Sequence, residues 1–198
     1  MILAVVILAA GAAIYFSRPK ASAAAPNQTV QADPAIGPAN APVTIIEYGD
    51  FGCTTCLGWE RAGVRKKILA SYSDKVRFIW RDFPVITAQS PKAAQAGQCA
   101  FLQGQFWPYH DLLYQKAPAL SVSDLKSYAA ELGLDTAKFN QCLDSGQEQA
   151  KVSASMQQAY QLHFVGTPSF TVNGQPVIGP QSYNYFSSLI NKILQSEG

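Results

Sequence analysis

The sequence contains few charges, few histidines and few methionines. Charged residues make up 14% of the 198 residues, with 15 Lys and Arg against 13 Asp and Glu, and there are two His and two Met. Arg18 and Lys20 account for the excess of positive charge, so the rest of the chain is neutral. A neutral chain without a basic patch offers little attraction to a phosphate backbone, and we expect no nucleic acid partner.

Long hydrophobic runs are scarce, and the one that stands out is Ile2–Phe16, which is followed by two cations. As a helix it spans about 22 Å, less than the roughly 30 Å of a hydrocarbon core. This length is typical of a signal peptide, and Ala21-Ser22-Ala23 is a candidate cleavage site. An uncleaved anchor and a buried core helix are the alternatives. We assign residues 1–20 to a signal peptide or membrane anchor and expect the rest in the periplasm or cell envelope.

The segment 21–35 is rich in Ala and Pro, has no periodicity and is predicted to be a linker. Residues 36–198 then form one domain. A buried strand over 43–48, a helix over 53–72 and a second strand over 76–83 make a β-α-β unit.

The second half of this domain is mostly helical. Asn173-Gly174 predicts a hairpin turn, and a closing amphipathic helix follows it. The fold class is therefore α/β with an inserted helical lobe over about 88–163. The predicted elements are helices over 92–114, 122–132, 136–145 and 147–163, strands over 169–172 and 175–178, and a helix over 183–194.

Two of the four cysteines, Cys53 and Cys56, are spaced as Cys-x-x-Cys where the first strand ends and a helix begins. Free N–H groups and the helix dipole stabilise a thiolate there, and such sites lower a thiol pKa from about 8.5 to between about 3.5 and 7.5. Cys53 is thus the predicted nucleophile, and Cys56, one turn later, is the predicted resolving thiol. Thr54 and Thr55 between them carry no charge.

A Cys-x-x-Cys pair also occurs in haem-attachment sites, metal sites and structural bridges. Haem attachment is excluded because Leu57, and not His, follows the second cysteine. A zinc site needs further ligands at regular spacing, and the remaining candidates are scattered: Cys99, His110, Cys142 and His163. We expect no metal and no cofactor. An inert structural bridge and a copper-binding dithiol stay open.

Glu47 is the one carboxyl on the otherwise apolar first strand, six residues before Cys53. Buried beneath the dithiol, it would have a raised pKa suited to moving the proton of Cys56. The alternative is an edge residue that faces solvent.

These residues together resemble the DsbA-like branch of the thioredoxin superfamily. The resemblance covers roughly 36–195 and rests on the dithiol with Glu47 before it, on the downstream segments and on three segments of the helical lobe. The segments are Gly166-Thr167-Pro168-Ser169-Phe170, Asn173-Gly174, Gln98-Cys99-Ala100, Phe106–Leu113 and Phe139–Leu143. It implies a thioredoxin-like fold with a helical insertion.

The resemblance also implies that Pro168 is a cis proline facing the dithiol and that Thr167 offers its backbone to an extended substrate. We assign Val165 and Phe51 to substrate contact as well. An ordinary trans proline at the start of a strand is the alternative reading of Pro168.

Some relatives carry a second, non-catalytic bridge in the helical lobe, which Cys99 and Cys142 resemble. Such a bridge would contribute about 4 kcal/mol in the chain-entropy model. Two buried reduced thiols are the alternative. For His110 and His163 we expect packing or helix-end roles.

The function expected from this resemblance is protein thiol–disulfide exchange, in the direction of a dithiol oxidase that introduces disulfide bonds into exported proteins. The partners would be cysteine-containing substrates and a membrane redox protein that resets the dithiol, and we expect a monomer. A reductase or isomerase is the alternative enzyme, since Thr54 and Thr55 depart from the familiar dipeptides. A copper-binding or chaperone-like module is the alternative from another class.

Overall fold

A computed structural model describes residues 32–196. The hydrophobic segment over 1–20 and most of the predicted linker lie outside these residues. Among the residues described, no helix has the length and apolar character needed to cross a bilayer.

A five-stranded sheet lies at the centre of the fold, in the order β1-β3-β2-β4-β5. Strand β2 runs parallel to β3, and the other neighbouring pairs are antiparallel. The strands are β1 (Ala35–Ile36), β2 (Val43–Gly49), β3 (Val76–Asp82), β4 (Ser169–Val172) and β5 (Gln175–Ile178). The strand–helix–strand unit and the hairpin are as predicted. Strand β1 was missed, and it begins at the last residue assigned to the linker.

Eight helices are present over the described residues. They are α1 (Thr54–Arg61), α2 (Val64–Ser71), α3 (Ser90–Phe101), α4 (Phe106–Lys116), α5 (Val122–Glu131), α6 (Thr136–Ser145), α7 (Gln149–Gln161) and α8 (Tyr183–Ser196).

Two of the long helices predicted from the sequence are each divided in two. Gly63, with φ of 68°, separates α1 from α2, and Gly104, with φ of 72°, separates α3 from α4. A left-handed backbone ends an α-helix and suits glycine, which has no Cβ. The predictions of one helix over 53–72 and one over 92–114 were wrong at these glycines, although the flanking residues are helical.

The central strand β2 has both faces covered, which places its carboxyl end in the interior. Ile45 packs with Ile68 of α2 and Phe186 of α8, and the next residue, Ile46, packs on the opposite face with Ala159 of α7. A third cluster joins the helical lobe to Phe51, Cys53 and Cys56 at the end of the sheet. The dithiol therefore lies where the lobe meets the sheet.

Candidate active site

Cys53 is the N-cap residue of α1, with extended backbone (φ −88°, ψ 118°). Its Sγ accepts a hydrogen bond from the backbone N–H of Cys56 at 3.4 Å. This is one of the N–H groups that have no partner within the helix. Both cysteines are free thiols, and Cys56 is the more buried, at 0% exposure against 5% for Cys53.

The loop before β4 lies against this helix end. The Thr167–Pro168 peptide bond is cis, and Sγ of Cys53 lies 3.3 Å from the carbonyl oxygen of Thr167, to which it donates a hydrogen bond when it is protonated. Pro168 is buried, whereas Val165, two residues before Thr167, is 92% exposed. Thr167 and Val165, which are predicted to contact substrate, therefore belong to the loop that faces Cys53.

The two thiols have pKa values shifted in opposite directions. A hydrogen bond from the Cys56 side chain is the main cause that lowers the pKa of Cys53 to about 5, while partial burial opposes the shift and the Thr167 side chain adds to it. Burial is the main cause that raises the pKa of Cys56 far above its ordinary value, with a contribution from Glu47. One sulfur is thus a thiolate at neutral pH, and the other holds its proton.

Glu47 lies in the middle of the sheet, in register with Trp80 of β3 and Phe170 of β4. Its side chain is fully buried, and neither carboxyl oxygen has a hydrogen-bond partner. Burial raises its pKa well above the ordinary value, Glu60 adds to the shift, and Arg65 opposes it. An unpartnered buried carboxyl is held in its neutral form, in which it is able to donate a proton.

A family model described as thioredoxin matches residues 29–192. The chain belongs to the thioredoxin family.

Solved structures of DsbA-like members resemble this chain over more than four fifths of its length. BdbD from Bacillus subtilis has a TM-score of 0.76 at 22% identity, with 82% of this chain and 93% of that one covered. A thioredoxin-like oxidoreductase from Silicibacter pomeroyi has a TM-score of 0.73 at 27% identity, with 82% of this chain and 92% of that one covered. For α-DsbA1 from Wolbachia pipientis the TM-score is 0.73 at 24% identity, with 84% of this chain and 92% of that one covered. The thioredoxin-like α/β fold with a helical insertion is confirmed.

Relatives by sequence are much longer proteins. The chain is 35% identical over 156 residues to Na(+)/H(+) antiporter NhaA 3 of Salinispora tropica. The matched segment covers 78% of this chain and 24% of that protein. The match to NhaA 1 of Salinispora arenicola is 37% over 150 residues, with 75% and 22% covered. The chain spans about a quarter of the length of these curated relatives.

This thioredoxin-family protein also has a cluster of charges around the buried Arg65 and Glu60 that was not predicted from the sequence. Arg65, 3% exposed, makes two hydrogen bonds to Glu60, at 2.9 and 3.1 Å, and one to Asp111 at 2.5 Å. Asp111 also contacts Lys66 at 3.0 Å and Nδ1 of His110 at 3.0 Å. Glu60 and Asp111 line an open cleft of about 370 Å³, so this cluster reaches solvent.

Three other predicted residues have clear positions. Cys99 of α3 and Cys142 of α6 form a disulfide with Cα atoms 5.9 Å apart, which links two helices of the lobe. Phe51 is 2% exposed and stacks on Trp80 with ring centroids 4.9 Å apart, so its main contacts are in the core, although it also lines a cavity beside Cys53. A direct substrate contact by Phe51 stays a prediction.

The two histidines are in packing and helix-end positions. His110 is fully buried and lies edge-on to Trp80, with centroids 4.9 Å apart. His163 follows the end of α7 with φ of 60°.

Proposed function

We propose that the protein is a dithiol oxidase that transfers its Cys53–Cys56 disulfide to cysteine pairs of exported proteins. The observation that carries this proposal is the opposite shift of the two thiol pKa values. A stabilised Cys53 thiolate favours the reduced form of the protein and therefore makes its disulfide a stronger oxidant.

The exchange proceeds in two steps. A substrate thiolate attacks Sγ of Cys53 in the disulfide, a mixed disulfide forms, and Cys56 leaves as a thiolate. The neutral carboxyl of Glu47 supplies a proton to the Cys56 sulfur. Burial of Cys56 favours the protonated form of this sulfur. A second substrate thiolate then attacks the substrate sulfur of the mixed disulfide, and Cys53 leaves as a thiolate. The substrate loses two electrons, and the protein keeps them as a dithiol.

The surroundings of Cys53 support an extended polypeptide as the substrate. The Thr167–Pro168 turn beside the sulfur begins β4, and the exposed Val165 precedes it. Backbone groups of Thr167 would pair with the substrate as an added strand. A membrane redox protein would reoxidise the dithiol. The protein would work as an exported monomer, either free or anchored by its N-terminal segment.

Two measurements test the function. In Cys56→Ser, Cys53 is first activated as a mixed disulfide with 5-thio-2-nitrobenzoate. A substrate thiolate then attacks Sγ of Cys53 and releases the nitrobenzoate thiolate, and Cys53–substrate disulfides should accumulate because no resolving thiol is left. Cys53→Ser is the matched control and should trap none. If Cys56→Ser captures no thiol substrate, the exchange function is wrong.

The direction of electron flow is tested by the equilibrium potential of the dithiol against glutathione. A potential of about −120 mV is that of a strong oxidant, and one of about −270 mV is that of a reductant. We expect the oxidising end. A value at the reducing end would replace the oxidase by a reductase.

A further inference from the structure

A small cavity of about 200 Å³ lies beside Cys53 on the side of the helical lobe, and the dithiol chemistry makes no use of it. Its wall carries no charged residue. The lining residues that matter here are Cys53, Leu57, Thr87, Gln89, Pro118 and Leu120.

The outer wall of this cavity belongs to the loop between β3 and α3, which is attached to the active-site loop through Asp50. The Asp50 carboxylate accepts hydrogen bonds from N–H of Gly52 at 2.7 Å through Oδ1, and from N–H of Val85 and Ile86 at 2.8 Å each through Oδ2. Asp50 is 1% exposed, and such charge-assisted bonds are strong when buried. One carboxylate thus joins the residue before Cys53 to the loop that forms the wall.

The two loops also touch directly. A Cβ at Gly52 would lie 2.5 Å from Oγ of Ser90 and 2.7 Å from Oγ1 of Thr87, so only glycine fits at this distance. Thr87 and Ser90 in turn exchange hydrogen bonds at the start of α3. The wall is therefore held at a fixed distance from the nucleophile by packing and by the Asp50 carboxylate.

We propose that Asp50 is a positioning residue for the reaction with polypeptide thiols: it holds the 85–89 loop as the wall of a subsite that takes one apolar side chain next to the substrate cysteine. This inference rests on the proposed function. When a substrate cysteine is bonded to Sγ of Cys53, the residues next to it in the substrate chain lie close to the cavity, because consecutive Cα atoms are only about 3.8 Å apart. The cavity is smaller than the roughly 300–1,000 Å³ of small-molecule sites, which suits a single side chain.

The neutral lining determines the kind of side chain. A Leu or Phe side chain of the substrate would leave water and pack against Leu57, Pro118 and Leu120. A substrate carboxylate would lose its hydration there without gaining a counterion. Burial of one such side chain corresponds to about tenfold in rate when the contact is present in the transition state.

The test compares the oxidised protein with three single-cysteine peptides that have Leu, Ala or Glu beside the cysteine, and with 2-mercaptoethanol. Rate constants for mixed-disulfide formation should follow the order Leu, Ala, Glu, with about tenfold between Leu and Ala. In Asp50→Asn, which is isosteric, this preference should fall to within about twofold while the rate with 2-mercaptoethanol stays close to wild type. Asp135→Asn, which removes the charge of a carboxylate that accepts a backbone N–H of Lys138 at an exposed site, is the matched control and should keep the preference.

Each outcome decides the inference. A wild-type protein that reacts equally with all peptides, or an Asp50→Asn variant that keeps the preference, would overturn it while the proposed function stands. Reaction with no peptide thiol at all would contradict the proposed function instead. If Asp50→Asn does not fold, Gly52→Ala displaces the same wall by steric contact with Ser90 and Thr87, and it must reduce the Leu preference for the inference to hold.

Discussion

Sγ of Cys53 lies 3.3 Å from the carbonyl oxygen of Thr167, although 114 residues separate the two in the chain. The two residues meet because β2 and β4 are neighbours in the sheet, so that the end of β2 lies beside the start of β4. In the proposed function, this places the sulfur that the substrate attacks beside the backbone that would align an extended substrate. Covalent chemistry and backbone recognition would then share one site.

The lowered pKa of Cys53 predicts that it is a thiolate over most of the physiological range. Alkylation of the reduced protein by iodoacetamide, or its thiolate absorbance, should show a transition with a midpoint at about pH 5. Cys53→Ser should lose this transition, because the pKa of Cys56 is raised far beyond it. A single transition near the ordinary value of 9.0 would contradict the geometry described for Cys53.

The raised pKa of Glu47 predicts a stability that falls as pH rises. The folded protein keeps a proton on Glu47 above the ordinary pKa of 4.5, where the unfolded chain releases it. Over this window the free energy of unfolding declines by up to about 1.4 kcal/mol per pH unit for this group. Glu47→Gln should therefore gain stability relative to wild type between pH 5 and 8, measured by urea denaturation.

The matched control for Glu47 is Glu131→Gln, which alters a half-exposed ion pair with Lys116. It should show little change with pH, because exposed pairs contribute about 0–1 kcal/mol. If the free energy of unfolding of Glu47→Gln differs from that of wild type by the same amount from pH 4 to 8, the Glu47 carboxyl is not held neutral by burial.

The buried Arg65 predicts a large loss of stability when its charge is removed. Arg65→Met leaves the Glu60 carboxylate, 7% exposed, without its counterion, and the cost should be about 3–5 kcal/mol by urea denaturation. Adding Glu60→Gln should restore part of this loss. Lys138→Met, which breaks an ion pair whose lysine is 77% exposed, should cost less than about 1 kcal/mol. Equal effects at the two sites would contradict a buried cluster.

The Cys99–Cys142 disulfide predicts a structural and not a catalytic contribution. The bridged residues are 43 apart in sequence, which corresponds to about 4 kcal/mol in the chain-entropy model. Cys99→Ala with Cys142→Ala should lower the free energy of unfolding by up to this amount. The double variant should exchange with small thiols at the wild-type rate when the rate is measured under conditions in which it is folded. A loss of exchange in a folded double variant would assign this pair a redox role.

Most of the secondary structure could be predicted from the sequence because its signals are local. The apolar run of β2, the Asn173-Gly174 turn and the period of α8 depend only on neighbouring residues. Strand β1 was missed because two residues are too few to show a period, and its pairing with β3 supplies the missing information. The breaks at Gly63 and Gly104 were passed over because glycine is tolerated within helical patterns.

The sequence by itself determined the dithiol, its place at a helix start and the thioredoxin family, since spacing and order along the chain carry these. Only the tertiary structure decided that Glu47 is buried and not solvent-facing, because its surroundings come from β3, β4 and the helices packed on the sheet. The same holds for Arg65 with Asp111, 46 residues apart, and for Asp50 with Ile86, 36 residues apart. Electrostatics and cavities depend on distances in space, which no local pattern records.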